Sequence, residues 1–132
     1  MNHRGKPVVA VWGIGFNDGR DYTLAECRKL VEFLKNDGCT VMVGVPTNWR
    51  ELKGDAVKDP ALLEIIAMAD IVSPWTVGRY SNPAGAAKYA ENTLKPDLAW
   101  CNQHNVDFLP VVFPGFSWHN MYATGPSDQI PR

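Results

Sequence analysis

The sequence predicts an α/β fold of parallel βα units, and three observations predict it. Four short apolar runs recur along the chain: Val8-Val9-Ala10-Val11, Val41-Met42-Val43-Gly44-Val45, Asp70-Ile71-Val72 and Phe108-Leu109-Pro110-Val111-Val112. Segments with helix signals lie between them, giving the order βαβαβαβ, which implies right-handed crossovers between parallel strands. The second run is apolar almost throughout, as expected of a strand buried on both faces. Four βα-type units are half of an eight-unit barrel. The expected architecture is therefore about half of a (β/α)8 TIM-type barrel, with a flavodoxin-like open sheet as the alternative.

Each element has local support. The first strand is expected over 8–12, followed by a Gly-rich loop over 13–20. Thr23 and Glu26 form a capping box that opens the first helix. Leu24, Cys27, Leu30, Val31 and Leu34 recur at helical spacing as one apolar stripe. Lys35 suits the negative end of that helix, and Gly38 the left-handed position after it. The second strand spans about 40–45. In the second crossover, 47–69, Asp59-Pro60 reads as a helix start, with Leu62, Leu63, Ile66 and Met68 as its apolar content. A short third strand covers 70–73. Ser81-Asn82-Pro83 starts a third helical region over 84–104, expected to break near Pro96 and to end at Asn105. The fourth strand is expected over 107–112, and the chain reads as loop from Phe113. Gln129-Ile130-Pro131-Arg132 reads as the entry to a further helix, so the 132 residues are expected to be one region of a larger barrel. Its exposed sheet edges would favour self-association.

Bulk properties narrow the function. The chain is 45% hydrophobic and 20% charged with a net charge of -1, ordinary for a globular domain. Lys and Arg are scattered and offer no footprint for nucleic acid. No apolar stretch approaches the roughly 20 residues that span a bilayer, and residues 1–7 lack the apolar core of a signal peptide. Cys27, Cys39 and Cys101 fit no zinc spacing and read as free thiols. No metal or cofactor is expected.

The sharpest signal lies just after the apolar runs. Trp12, Trp49, Trp75 and Trp118 all follow predicted strand ends. In parallel α/β folds that edge is where ligands bind, and a rim of flat indoles there suits the stacking of sugar rings. Phe116-Ser117-Trp118-His119-Asn120 adds polar groups: His119 and Asn120 could bond ring hydroxyls while Trp118 stacks, or the cluster could pack a neighbouring loop. Trp118 and His119 are expected on the same rim as Trp12 and Trp75. Gly13-Ile14-Gly15-Phe16-Asn17-Asp18-Gly19 follows a strand, but Asp18 occupies the third glycine position of a dinucleotide fingerprint and no acid ends the second strand. The glycines are read instead as turn residues. Glycosidases use two carboxylates flanking the scissile bond. Asp18, Asp21, Glu51 and Asp55 lie near strand ends, yet none forms a convincing pair. Asp18 is retained as a hydroxyl contact. His104 reads as a helix C-terminal residue, and His3 as part of a fraying terminus.

Gly5-Lys6-Pro7-Val8-Val9-Ala10-Val11-Trp12-Gly13 resembles a barrel-strand segment of bacterial glycoside hydrolase family 71/99-like proteins, the xylosidase/arabinosidase type. Residues 69–78 and 109–120 resemble later strands, and Phe113-Pro114-Gly115-Phe116-Ser117-Trp118-His119-Asn120 is the most specific phrase. The resemblance covers 5–132. It implies a (β/α)8 barrel acting on glycosidic bonds, of which this chain would be roughly the second half without its last strand. The acidic motif of the related enzymes follows that strand, so no catalytic residue carries over. The resemblance also implies a secreted or periplasmic full-length parent. The resulting expectation is a carbohydrate-active barrel region, its partner a glycan and not nucleic acid or membrane. A non-catalytic carbohydrate-binding module and a flavodoxin-like nucleotide- or flavin-binding domain remain as alternatives.

Overall fold

The computed structural model describes residues 1–112. The chain begins with β1 (Asn2–His3) and β2 (Lys6–Trp12), followed by α1 (Leu24–Asn36) and β3 (Thr40–Val45). A 3-10 turn (Trp49–Glu51), α2 (Ala61–Met68) and β4 (Ile71–Pro74) come next. A long helical stretch then runs through α3 (Pro83–Tyr89), a π-helical segment (Ala90–Leu94) and α4 (Lys95–His104) before β5 (Asp107–Phe108). The five strands form one sheet in the order β1-β2-β3-β4-β5. β1 is antiparallel to β2, and β2 to β5 are parallel. The α/β class of parallel βα units is thus the observed one. Each parallel strand is laid beside the previous one. Among the described strands the order never reverses, so there is no switch point of the kind that makes the crevice in doubly wound sheets.

The register sorts the side chains. Val11, Val43, Val72 and Phe108 share one row, and helices cover that face. Cys27 and Val31 from α1, Leu62, Ile65 and Ile66 from α2, and Cys101 from α4 join Val41, Val43, Val45 and Val72 in one core. The opposite face carries Ala10, Met42, Ile71 and Asp107 in the adjacent row. There Ala10 is exposed, and Met42 and Ile71 are only half-buried.

Helix ends follow their local chemistry. Thr23 Oγ1 accepts from Glu26 N–H at 3.3 Å while Glu26 Oε2 accepts from Thr23 N–H at 2.7 Å. Gly38, at φ +85°, closes α1 in the left-handed conformation, as Asn105, at φ 56°, closes α4. Asp59 Oδ1 accepts from Ala61 N–H at the start of α2, and Asn82 Oδ1 from Gly85 N–H at the start of α3.

Four sequence expectations need correction. Leu30 is 42% exposed and lies outside the buried part of the α1 stripe, which Cys27 and Val31 supply. The helix is not broken near Pro96. The backbone stays αR through Leu94 and Lys95, and the widened π-helical turn just before Pro96 absorbs the missing proline donor. β5 has two residues rather than six. The N-terminus does not fray: Arg4 and Gly5 take positive φ and turn β1 back onto β2, the arrangement of a tight hairpin. His3 Nε2 then lies 2.7 Å from Asp107 Oδ2, and Arg4 donates to both Asp107 oxygens at 3.0 Å. These contacts link the first strand of the sheet to the last, so the sheet is curled.

One polar pair is buried with the core. Asp97, 1% exposed, accepts from Arg50 Nε at 2.9 Å. Its Oδ2 and the Trp49 Nε1 are both buried, and the Trp49 N–H adds a weak hydrogen bond to the carboxyl. Burial pushes the Asp97 carboxyl up to about 6, against the opposing pull of Arg50. The folded chain therefore holds this proton more tightly than the unfolded chain, whose carboxyl titrates at its ordinary 3.8. The sign follows: this group adds stability as pH falls from about 6 to about 4, and that contribution is lost as pH rises. Asp97→Asn removes the titration. Its stability relative to the unsubstituted chain should rise from acid to neutral pH by at most about 3 kcal/mol, because each tenfold difference in proton affinity is worth about 1.4 kcal/mol. Urea unfolding across that range is the measurement, and parallel profiles for the two proteins would assign the pH dependence elsewhere.

Candidate functional site

The loops at the C-terminal ends of β2, β3 and β4 form one connected rim. It starts at Gly44, whose carbonyl accepts from Gly13 N–H and Ile14 N–H, both at 3.0 Å. Ile14 enters the core. Gly15 follows at φ +79°, pressed against Leu62, and its carbonyl accepts from Val57 N–H. Phe16 bridges to Ala56, and Asn17 N–H donates to the Asp55 carbonyl at 2.8 Å. Asp55 is ion-paired with Arg79, which brings in the loop after β4. The Thr47 hydroxyl donates to the Trp75 carbonyl and lies 3.1 Å from the Tyr89 hydroxyl.

On this scaffold Trp12 and Trp75 stand together. Their rings are 5.2 Å apart at 73°, an edge-to-face pair, and Phe16 lies 5.6 Å from Trp12. Trp12 is 51% and Trp75 38% exposed. Arg20 lies over the Phe16 ring at 5.0 Å and pairs with Asp18 at 2.8 Å. Tyr22 donates its hydroxyl proton to the Gly13 carbonyl at 2.7 Å, folding the Gly-rich loop back. A recess of about 280 Å³ opens between that loop and α1, lined in part by Phe16, Arg20, Tyr22 and Cys27.

The structure brings together Trp12, Trp75 and, in the adjacent loop, Asp18. Trp49 stands apart from them. It is fully buried, packed edge-on against Trp100 at 4.9 Å, because the 3-10 turn after β3 folds it into the helix layer. It offers no face to a ligand. Trp118, His119 and Asn120 lie outside the described residues. Phe16, Arg20 and Tyr22 carry no sequence signal beyond their place in the Gly-rich loop. The glycines of that loop act as turn residues: Gly13, Gly15 and Gly19 all have positive φ.

Three of the four acids near the strand ends are ion-paired; among the described residues Asp21 is exposed without an ion pair, and Asp55 Oδ1 is buried without a hydrogen-bond partner. Asp18 pairs with Arg20, Asp55 with Arg79, and Glu51 with Lys53 at 2.7 Å. The Lys53 hydrogen bond holds the Glu51 carboxyl below its ordinary value, the reverse of what a general acid needs. Asp97 does hold its proton more tightly, but it is 1% exposed, enclosed beneath Trp49 and Arg50, and offers no oxygen to a ligand. His104 stacks on Trp100 at 3.7 Å and bonds the Trp100 carbonyl, a helix-end role. Among the described residues no group of three or more His, Cys, Asp or Glu could hold a metal ion. The arrangement can stack a ring and bond its hydroxyls; among the described residues it has no acid–base pair in place.

The indole of Trp12 lies over Gly44, and a Cβ there would overlap its six-membered ring. Gly44→Ala should therefore displace Trp12 from Trp75 and destabilise the fold by about 1–3 kcal/mol, the usual scale of overpacking. Near-UV circular dichroism reads the first effect through the loss of coupling between the two indoles, and urea unfolding reads the second. An unchanged aromatic spectrum would mean that the indole does not rest there.

Comparison of the chain with protein-family models, curated proteins and solved structures finds no match, and no family is assigned on that ground.

Proposed function

We propose that this chain is a carbohydrate-binding region of a glycoside-hydrolase-like (β/α)8 barrel, with Trp12 and Trp75 as its stacking platform. The observation that carries the reading is the exposed indole pair at the C-terminal edge of parallel strands, where such folds bind ligands. The barrel part has its own support. Strands β2 to β5 are added in sequence, helices cover one face, and the other face is half bare among the described residues. Parallel sheets are normally covered on both faces, and in a barrel the inner face is filled by side chains from the remaining strands. The glycoside hydrolase part rests on the resemblance of residues 5–13, 69–78 and 109–120.

Binding is tested by titrating the chain with a panel of neutral oligosaccharides while following tryptophan fluorescence and heat. Trp12→Ala and Trp75→Ala should each weaken binding by about 1–3 kcal/mol, the scale for a large apolar contact. Binding that survives both substitutions would remove the platform role.

Hydrolysis needs a pair of carboxylates flanking the scissile bond, and of the four acids near the strand ends Asp18, Glu51 and Asp55 are ion-paired while Asp21 is exposed and stands without an acidic partner among the described residues. Aryl glycosides should accordingly be turned over no faster than in buffer. Turnover abolished by Asp55→Asn or Glu51→Gln would identify a catalytic pair here and refute that expectation. The ion pairing of Asp18, Glu51 and Asp55 also favours a second reading, a non-catalytic carbohydrate-binding module. It predicts glycan binding without hydrolysis even when the chain is extended at both ends.

A further inference from the structure

A second recess, of about 330 Å³, opens where the loop after β4 meets α3 and the π-helical segment, and Arg79, Tyr80, Asn82, Lys88, Tyr89 and Asn92 are among its walls. Its size falls at the small end of ligand pockets. Tyr80 and Tyr89 face each other at 5.7 Å and 48°, so one wall is aromatic. The remaining walls supply two amides, two hydroxyls and two cations, with no carboxylate among the lining residues. Arg79 is met by Asp55. Lys88 is exposed and makes no ion pair among the described residues. The acids of the neighbouring helix are engaged elsewhere, Glu91 by Lys95 at 2.6 Å and Asp97 by Arg50. The recess therefore carries an uncompensated positive charge beside an aromatic wall.

A buried hydrogen-bond path joins it to the loop that carries Trp75. The Thr47 hydroxyl touches both the Tyr89 hydroxyl and the Trp75 carbonyl, and Trp75 and Tyr80 belong to the same loop.

We propose that the recess is a subsite for an acidic sugar unit, its carboxylate met by Lys88 and its ring set against Tyr80 and Tyr89. This deepens the proposed glycan-binding function and rests on it for the neighbouring unit. Asn92 and the amide N–H groups of Asn82, whose Oδ1 caps α3, line the recess and supply hydrogen-bonding groups for ring hydroxyls. The carboxylate contact is partly solvated, so it contributes selectivity and salt dependence more than raw affinity.

The test uses disaccharides of glucose and their counterparts in which one terminal glucose is glucuronate, titrated calorimetrically into the full chain at low and high salt. The glucuronates should bind up to roughly fivefold tighter, the upper end of the range for one exposed charge pair, with the advantage fading as salt rises. Lys88→Gln should abolish the advantage, so that both series bind alike. Tyr80→Ala should weaken the glucuronates more than the neutral sugars, with circular dichroism confirming that it folds. Equal binding of both series, or an advantage that persists in Lys88→Gln, overturns the subsite. Selective glucuronate binding indifferent to Trp12→Ala would leave the recess standing and remove the tryptophan platform. No binding by either series would overturn both.

Discussion

The rim is organised around Gly44. A side chain at this position would occupy the space in which the Trp12 indole lies, and the Gly44 carbonyl anchors both Gly13 and Ile14. Those two bonds set the direction of the Gly-rich loop, and the loop's next contacts follow from it. Ile14 is drawn into the core, Gly15 abuts Leu62, and Asn17 reaches the Asp55 carbonyl. Asp55 then holds Arg79. Loops after three separate strands are thereby fixed to one another before any ligand arrives. Such preformed geometry limits the ordering cost of binding. A glycine inside a strand often marks a close approach of this kind, and here the approaching group is the aromatic ring on which the functional reading rests.

The parts of the fold legible in the sequence are those decided within a few residues. The Thr23–Glu26 box, Gly38, Asn82 and Asn105 act through their own backbone neighbours, so their chemistry can be read without the rest of the chain. β3 was legible because burial at nearly every position leaves an apolar run, and β2 and β4 were legible as short apolar runs although one sheet face is only half covered. Three features were not. The β1 hairpin turns at Arg4-Gly5, and arginine is not among the residues that signal such a turn. Its latch, His3 and Arg4 on Asp107, joins positions more than a hundred residues apart. Trp49 follows a strand as Trp12 and Trp75 do, and only the path of the next turn sends it inward. The helix through Pro96 was expected to break because proline removes a donor, whereas a wider turn upstream supplies a second way to accommodate it.

The distinction between Trp49 and the two rim tryptophans also bears on how far exposure can argue for function. An exposed apolar residue standing alone needs no explanation. Trp12 and Trp75 do not stand alone: they touch, Phe16 extends the patch, and all three sit on a scaffold fixed from below. An indole can bury up to about 250 Å², so the fractions left open, 51% and 38%, amount to on the order of 200 Å² of flat apolar surface. At about 25 cal/mol per Å² that is roughly 5 kcal/mol of burial left unrealised. Trp49 shows that this chain can bury an indole completely when the following turn allows it. The rim loops instead direct their hydrogen bonds to one another and leave the two indoles half-exposed. That is the arrangement expected of a surface that a ring-shaped partner completes, and the engaged carboxylates around it favour holding such a partner over cleaving it.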